Sequence, residues 1–122
     1  MHRSMMQVFV KESHKAFEFY QRAFDAQVVC RHSNADGTLA HAELDIYGQI
    51  LAISELADAQ PVTGNTMMFC LHFGDGQEAA VQKIFNVLKD GAEMVAPLGA
   101  CDYSPLQAAL IDKFGVSWCI FV

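Results

Sequence analysis

The spacing of hydrophobic residues changes its period several times along the first half of the chain. Four segments have the composition or the alternation of β-strands: residues 5–10, 26–33, 38–46 and 49–55. Between the first two, apolar residues recur about every 3.6 positions over residues 13–24, which predicts a helix with Ser13 as a candidate N-cap. Tyr47-Gly48 is a two-residue turn between the last two strands. The first half therefore predicts the order β-α-β-β-β.

The second half repeats this order. Its strand-like segments are residues 66–73, 93–98, 106–111 and 117–122. A helix is predicted from the capping-box-like segment 75–78 to Gly91. The apolar stripes of the two helices correspond, with Ala80 following Ala16 by 64 positions. Two ordinary amphipathic helices would also match by coincidence, but the shared order favours a duplicated βαβββ module.

A segment with Pro61 and Gly64 is the only plausible linker in the sequence. We therefore expect a first module over residues 1–56, a linker over 57–65 and a second module over 66–122. A chain of 122 residues is long enough for one domain or for two half-domains that share a core. We expect one structural domain overall.

Composition and charge exclude some classes of protein. The chain is 52% hydrophobic and 18% charged, as in a compact folded protein, and its net charge is −6. A nucleic-acid surface needs clustered Lys and Arg, so this charge argues against nucleic acid and is compatible with a neutral or cationic small molecule. No apolar run approaches the ~20 residues that span a bilayer. The N-terminus lacks a secretory segment, so we expect a cytoplasmic protein that does not bind membranes.

The cysteines are widely separated and include no Cys-x-x-Cys pair; they are Cys30, Cys70, Cys101 and Cys119. In a cytoplasmic chain this spacing predicts reduced, mostly buried thiols rather than disulfides or a zinc site. Cys119, near His72 or His41, could act as a nucleophile only if its pKa were depressed, and inert packing is the more common role of a buried cysteine.

Three motifs together resemble a known family. They are Ala16–Tyr20 (AFEFY), His41–Leu44 (HAEL) and Asp112–Trp118 (DKFGVSW). The chain resembles the PhnB-like branch of the vicinal oxygen chelate (glyoxalase/bleomycin resistance/dioxygenase) superfamily. The resemblance implies an α+β fold of two βαβββ modules, each a curved sheet with one packed helix, and a homodimer that binds a small molecule. The chain departs from the branch at Asp25, where Gly is usual, and in the loop 99–104.

The resemblance also bears on a metal. In metal-using members the ligands come from the first and last strands of each module and are usually His or Gln, Glu, His and Glu. The matching positions here hold Met5, Ala52, Met68 and Cys119. These side chains do not supply the oxygen and imidazole donors that a divalent ion needs. We therefore expect no cofactor and no metal ligands, with a divalent metal as the alternative.

A ligand-binding cleft is predicted from the hairpin pairing and the strand period of two. Pairing about Tyr47-Gly48 sets Glu43 opposite Ala52, so both share one face with His41. The predicted cleft residues are Met5, Gln7, Ala52, Ser54, Met68, Cys70, His72, Cys119 and Phe121. His41 and Glu43 are candidate catalytic residues as an acid–base pair, or displaced metal ligands, against the alternative of a solvated strand face.

Several other side chains have simpler interpretations. Trp118 is expected in the core, and Glu55 at the surface or in a hinge. Phe9, Phe121 and Tyr103 are candidates for stacking on a ligand, with core packing as the alternative.

Three functions remain open, and whether the protein is an enzyme is left undecided. The first is a protein that binds a small organic molecule in a metal-free cleft. The second is a lyase, isomerase or dioxygenase-like enzyme that depends on a divalent metal. The third is a metal-free enzyme in which His41 and Glu43 transfer protons. A degenerate structural or interaction protein is a further alternative.

Overall fold

Two units follow one another along the chain in the computed structural model, which describes residues 1–122: Met1–Pro61 and Val62–Val122. The first contains four strands and one helix in the predicted order. They are β1 (Met6–Val10), α1 (Ser13–Phe24), β2 (Gln27–Ser33), β3 (Leu39–Ile46) and β4 (Gln49–Glu55). The strands form one sheet in the order β1-β4-β3-β2, with β1 parallel to β4 and the other pairs antiparallel.

The helix α1 covers one face of this sheet. Its apolar stripe is buried, and the helix contacts β1, β3 and β4. The alternation along β3 and β4 predicts that Leu44, Ile46, Leu51 and Ile53 face the helix, and all four are buried. The predicted pairing is also confirmed, because Ile46 is opposite Gln49 and Glu43 is opposite Ala52. Burial of these branched side chains is the main source of stability for the unit.

The second unit has the same topology. Its elements are β5 (Phe69–His72), α2 (Glu78–Leu88), β6 (Glu93–Cys101), β7 (Ser104–Ile111) and β8 (Ser117–Phe121). The sheet order is β5-β8-β7-β6, again with the first and last strands parallel. The two βαβββ modules of the predicted α+β fold are therefore confirmed. Trp118 is fully buried, as expected for a core residue.

Each unit carries one extra residue at the same place in its second strand. In the first unit, Val28 pairs with Leu44 and Cys30 with Glu43, which leaves Val29 without a partner. In the second, Met94 pairs with Leu110 and Ala96 with Ala109, which leaves Val95 without one. Both are β-bulges, and a bulge turns the following side chains to the opposite face of the sheet.

The start of α1 differs from the prediction. Ser13 is not the N-cap, because the cap is Glu12 in the left-handed conformation, without a side-chain hydrogen bond. Ser13 instead begins the helix and is buried. Glu55, expected at the surface or in a hinge, is half-buried, and its carboxylate accepts hydrogen bonds from Ser13 N and Oγ. A carboxylate at this end of a helix complements the unpaired N–H groups and the helix dipole.

The elements of the second unit also have different limits. The helix α2 ends at Leu88 rather than at Gly91, and no side chain caps its start, so the capping box expected over residues 75–78 is wrong. The strands β6 and β7 extend through most of the loop 99–104 as a bulged hairpin. Neither helix has the length and apolar character needed to cross a membrane.

Candidate functional site

Four aligned residues cross the face of the first sheet that points away from α1, which we call the first site face. Gln7 pairs with Ala52, Ala52 with Glu43, and Glu43 with Cys30. Neighbouring residues in register point to the same side of a sheet, so the four form one row. Ser54, two residues from Ala52, lies on the same face and accepts a hydrogen bond from Gln7 Nε2 at 3.2 Å.

Glu43 is the most strongly paired group on this face. Its side chain is only 4% exposed. Arg3 holds both carboxylate oxygens, at 2.9 Å through Nη1 and 2.8 Å through Nη2, and His41 Nε2 lies 3.0 Å from Oε1. These bonds, first to Arg3 and then to His41, lower the pKa of Glu43 from 4.5 to about 2. The interpretation of Glu43 as part of a solvated strand face is wrong.

Cys30 belongs to the same cluster, although the sequence did not single it out. The donor atoms of Cys30, His41 and Glu43 lie within 4.8 Å of one another. Without the bulge at Val29, Cys30 would be opposite Ala42 and would point to the helix side. The signal was the similarity of residues 26–29 to residues 92–95, since each segment ends at the bulged residue, but a period of two alone assigns Cys30 to the wrong face.

The corresponding face of the second sheet, the second site face, carries different chemistry. Cys70 pairs with Cys119, which pairs with Ala109. In the next row His72 pairs with Phe121, and Phe121 with Gln107. The predicted residues of this module, except Met68, therefore share a face, and they are mainly thiols and rings where the first site face has an ion pair.

Aromatic rings dominate one end of the second site face. His72 stacks on Phe121 with ring centroids 4.6 Å apart and planes 7° apart, and Tyr103 meets Phe121 edge-on at 5.3 Å. Tyr103 Oη donates to Gln107 Oε1 at 3.4 Å and lies 3.8 Å from Cys119 Sγ. Gln107 was not predicted, because Tyr103 reaches it through the β6–β7 hairpin, whose shape the sequence left open.

The thiol and phenol on this face are held in their neutral forms. Burial raises the pKa of Cys119, and the hydrogen bond to Cys119, followed by burial, raises the pKa of Tyr103 to about 12. A nucleophilic cysteine needs the opposite shift, so the geometry does not support that role for Cys119. The expectation that the cysteines are mostly buried is wrong, since Cys119 alone is buried, Cys30 and Cys101 are half-buried, and Cys70 is exposed.

The positions that hold a metal in relatives do not fit one here. Ala52 has no donor atom, and the thiol of Cys119 is buried with a raised pKa. Met5 and Met68 lie just outside β1 and β5, and a thioether is a poor ligand for a hard or borderline divalent ion. No chemical step can be assigned to a metal at these four positions.

Several solved structures match almost the whole length of this chain. The PhnB protein from Bacillus cereus has a TM-score of 0.83 at 22% identity over 98% of both chains. Protein PA1353 from Pseudomonas aeruginosa has a TM-score of 0.82 at 18% identity, over 99% of this chain and 97% of that chain. A mutant of the fosfomycin resistance protein FosX from Listeria monocytogenes, complexed with Mn(II) and 1S,2S-dihydroxypropylphosphonic acid, has a TM-score of 0.71 at 17% identity, over 98% and 90%.

At these low sequence identities, the structural similarity establishes a common fold alone. No curated protein matches the sequence. The family model of the Glyoxalase/Bleomycin resistance protein/Dioxygenase superfamily matches residues 3–120, which include both modules. The resemblance predicted from the three motifs is therefore confirmed, and this chain belongs to the Glyoxalase/Bleomycin resistance protein/Dioxygenase superfamily.

Proposed function

We propose that the protein binds a small, flat organic molecule against the second site face, without a metal at the four positions that correspond to the family's ligands. The observation that carries the proposal is the aromatic group of His72, Phe121 and Tyr103. An exposed aromatic wall with a few polar atoms is the usual composition of a small-molecule site.

The aromatic group has room for a ligand. His72 is exposed, Phe121 is half-buried and Tyr103 is 63% exposed, so none of the three rings is used up by core packing. The His72–Phe121 stack presents a flat surface, and the Tyr103 hydroxyl and the Gln107 amide supply polar atoms beside it. This combination favours a planar molecule with one or two hydrogen-bonding groups.

Charge narrows the ligand class. The wall itself is neutral near pH 7 at Cys119 and Tyr103, because both have raised pKa values. The chain as a whole has a net charge of −6. A neutral or cationic ligand is therefore favoured over an anion, and rings such as Phe121 and Tyr103 can also contact a cation directly.

The acid–base alternative has less support. A general base near neutral pH works best with a pKa close to that pH, whereas Glu43 has a pKa of about 2 and both oxygens are held by Arg3. His41 and Glu43 are therefore better explained as parts of an ion-pair cluster. The metal-dependent alternative has the difficulty that Met5, Ala52, Met68 and Cys119 do not form a ligand set.

Fluorescence titration tests the proposal directly. Acridine orange, a planar cation, and 8-anilinonaphthalene-1-sulfonate, an anion, are titrated into the protein in the presence of EDTA. We expect saturable binding of the cation that is stronger than that of the anion. Phe121→Ala and Tyr103→Ala should each weaken binding of the cation by about 1–2 kcal/mol, because a ring contact is lost. Tyr47→Asn, which removes an exposed ring in the first unit, should not.

Two outcomes would contradict the proposal: binding that all three variants leave unchanged, or binding that EDTA abolishes. We also propose a homodimer from the family resemblance. Size-exclusion chromatography with light scattering tests it by measuring the molar mass of the protein. A monomeric mass at micromolar concentration would contradict that part alone.

A further inference from the structure

We propose that Cys30, His41 and Glu43 form a binding site for a borderline divalent cation of the Zn²⁺ class, and that Arg3 competes with the cation for Glu43. This site lies on the second and third strands of the first unit. Its three ligands are different residues from the four at which relatives bind metal, although Glu43 lies opposite Ala52 on the neighbouring strand, and none of them belongs to the aromatic group.

The donor set suits such a cation. A thiolate, an imidazole nitrogen and a carboxylate oxygen are the common protein ligands of Zn²⁺. Their donor atoms already converge within 4.8 Å of one another, and His41 Nε2 is 3.0 Å from Glu43 Oε1. Donor atoms around a tetrahedral zinc ion lie about 3.3–3.8 Å apart, given bonds of about 2.0–2.3 Å. A small change at the Cys30 side chain closes the remaining gap.

The fold holds these ligands on regular strands. Glu43 and His41 are two residues apart on β3 and share a face, and Cys30 is the cross-strand partner of Glu43. The bulge at Val29 turns Cys30 to that face, while Arg31 points to the other side and lies over the ring of Phe17 at 4.6 Å. Bulges are enriched beside functional sites for this reason.

Arg3 shows that the cluster already attracts a cation. Its guanidinium binds both oxygens of Glu43, yet its side chain is 48% exposed and comes from the segment before β1, which has no regular structure. An exposed arginine on such a segment can leave more readily than a strand residue. Release of Arg3 frees the carboxylate. The Cys30 thiol loses its proton to water as the ion binds, and the two anionic ligands then balance the charge of the cation.

Cobalt spectroscopy on the untagged, full-length protein tests the site independently of any activity. Co²⁺ bound to a thiolate gives charge-transfer absorption in the near ultraviolet. Zn²⁺ should displace the Co²⁺ and abolish this absorption. We expect one ion per chain. Cys30→Ser should remove the thiolate absorption. It should also lower the affinity for Zn²⁺ by roughly 10–100-fold or more, since loss of a group that merely supports a ligand already has an effect of that size. Arg3→Gln should raise the affinity for Zn²⁺ severalfold, because the guanidinium no longer competes for Glu43.

Cys70→Ser is the matched control, since it removes an exposed cysteine from the second unit. The proposal is overturned if the wild-type protein gives no thiolate absorption, if Cys70→Ser has the same effect as Cys30→Ser, or if Arg3→Gln weakens the ion. Circular dichroism checks that each variant is folded, and Cys30→Ser is a mild change on an exposed strand. Failure here leaves the proposed function untouched, because its titration is done in EDTA.

Discussion

Asp112 accepts a hydrogen bond at 2.9 Å from Nε1 of Trp118, a fully buried indole. The same carboxylate accepts from the backbone N–H groups of Phe114 and Val116, at 2.9 and 3.0 Å. The turn between β7 and β8 is therefore fixed by one buried side chain. This explains physically why the DKFGVSW segment has Asp and Trp six residues apart.

Asp112→Ala should destabilise the protein by about 3 kcal/mol, because it leaves the indole N–H and two backbone N–H groups without an acceptor. Urea unfolding followed by the fluorescence of Trp118, the single tryptophan, measures the change. Asp102→Ala, an exposed carboxylate of the same unit, is the control and should be nearly neutral. Equal stability of the two variants would show that the hydrogen bonds contribute little.

Ser13→Ala should destabilise the first unit. Ser13 Oγ donates to Glu55 Oε1 at 2.9 Å and accepts from Leu39 N at 2.8 Å, so it ties α1 to β3 and β4. Alanine leaves the buried Leu39 N–H without a partner, at a cost of about 1–3 kcal/mol. Thermal unfolding followed by circular dichroism measures the loss, with the exposed Ser33→Ala as the control. A melting temperature equal to that of the control would contradict the proposed role.

Stability should fall in acid partly through Glu43. Its pKa is lowered from 4.5 to about 2 by Arg3 and then by His41, so the folded state binds the proton more weakly than the unfolded state does. The stabilisation is fully present above roughly pH 4.5 and is lost as the pH falls toward about 2. Melting curves from pH 7 to pH 2 should show a smaller acid loss for Glu43→Gln than for the wild type.

The same variant should also be less stable at neutral pH, since glutamine cannot form the ion pair with Arg3. The exposed Glu93→Gln serves as a control and should follow the wild-type pH dependence. Parallel acid profiles for Glu43→Gln and the wild type would refute the assignment of this titration to Glu43.

Tyr47→Asn should stabilise the protein by up to about 1 kcal/mol. Tyr47 and Gly48 both have positive φ, at 56° and 90°, and Tyr47 pays a steric penalty there that asparagine largely avoids. Tyr47→Phe keeps both the Cβ and the ring, so it is the reference variant that retains the backbone strain. If the Asn variant melted at a lower temperature than the Phe variant, contacts of the ring would contribute more to stability than relief of the steric strain at positive φ.

Most of the fold could be predicted because local patterns and packing agree. The stripe of α1 and the alternation of β3 both place their apolar residues on one face, and the turn at Tyr47-Gly48 fixes the register of the hairpin. Helix ends were predicted less well. The start of α1 depends on Glu55, which is 42 residues away in sequence, and no local pattern carries that information.

The candidate site was predicted in part for the same reason. Residues aligned by regular pairing, such as Gln7, Ala52 and Glu43, were assigned to the right face. Cys30 was missed because a one-residue bulge reverses the alternation, and Arg3 because the segment before β1 has no period to interpret. Whether the predicted residues of both modules line one cleft stays a prediction.

The bulges at Val29 and Val95 have a consequence beyond the direction of nearby side chains. Both lie on an edge strand of their own sheet, next to exposed apolar residues, Val28 in one and Met94 in the other. A straight apolar edge strand can pair with a strand from another molecule and start aggregation. A bulge interrupts the hydrogen-bonding register and hinders that pairing. The extra residue in each module therefore disfavours self-association through that edge strand.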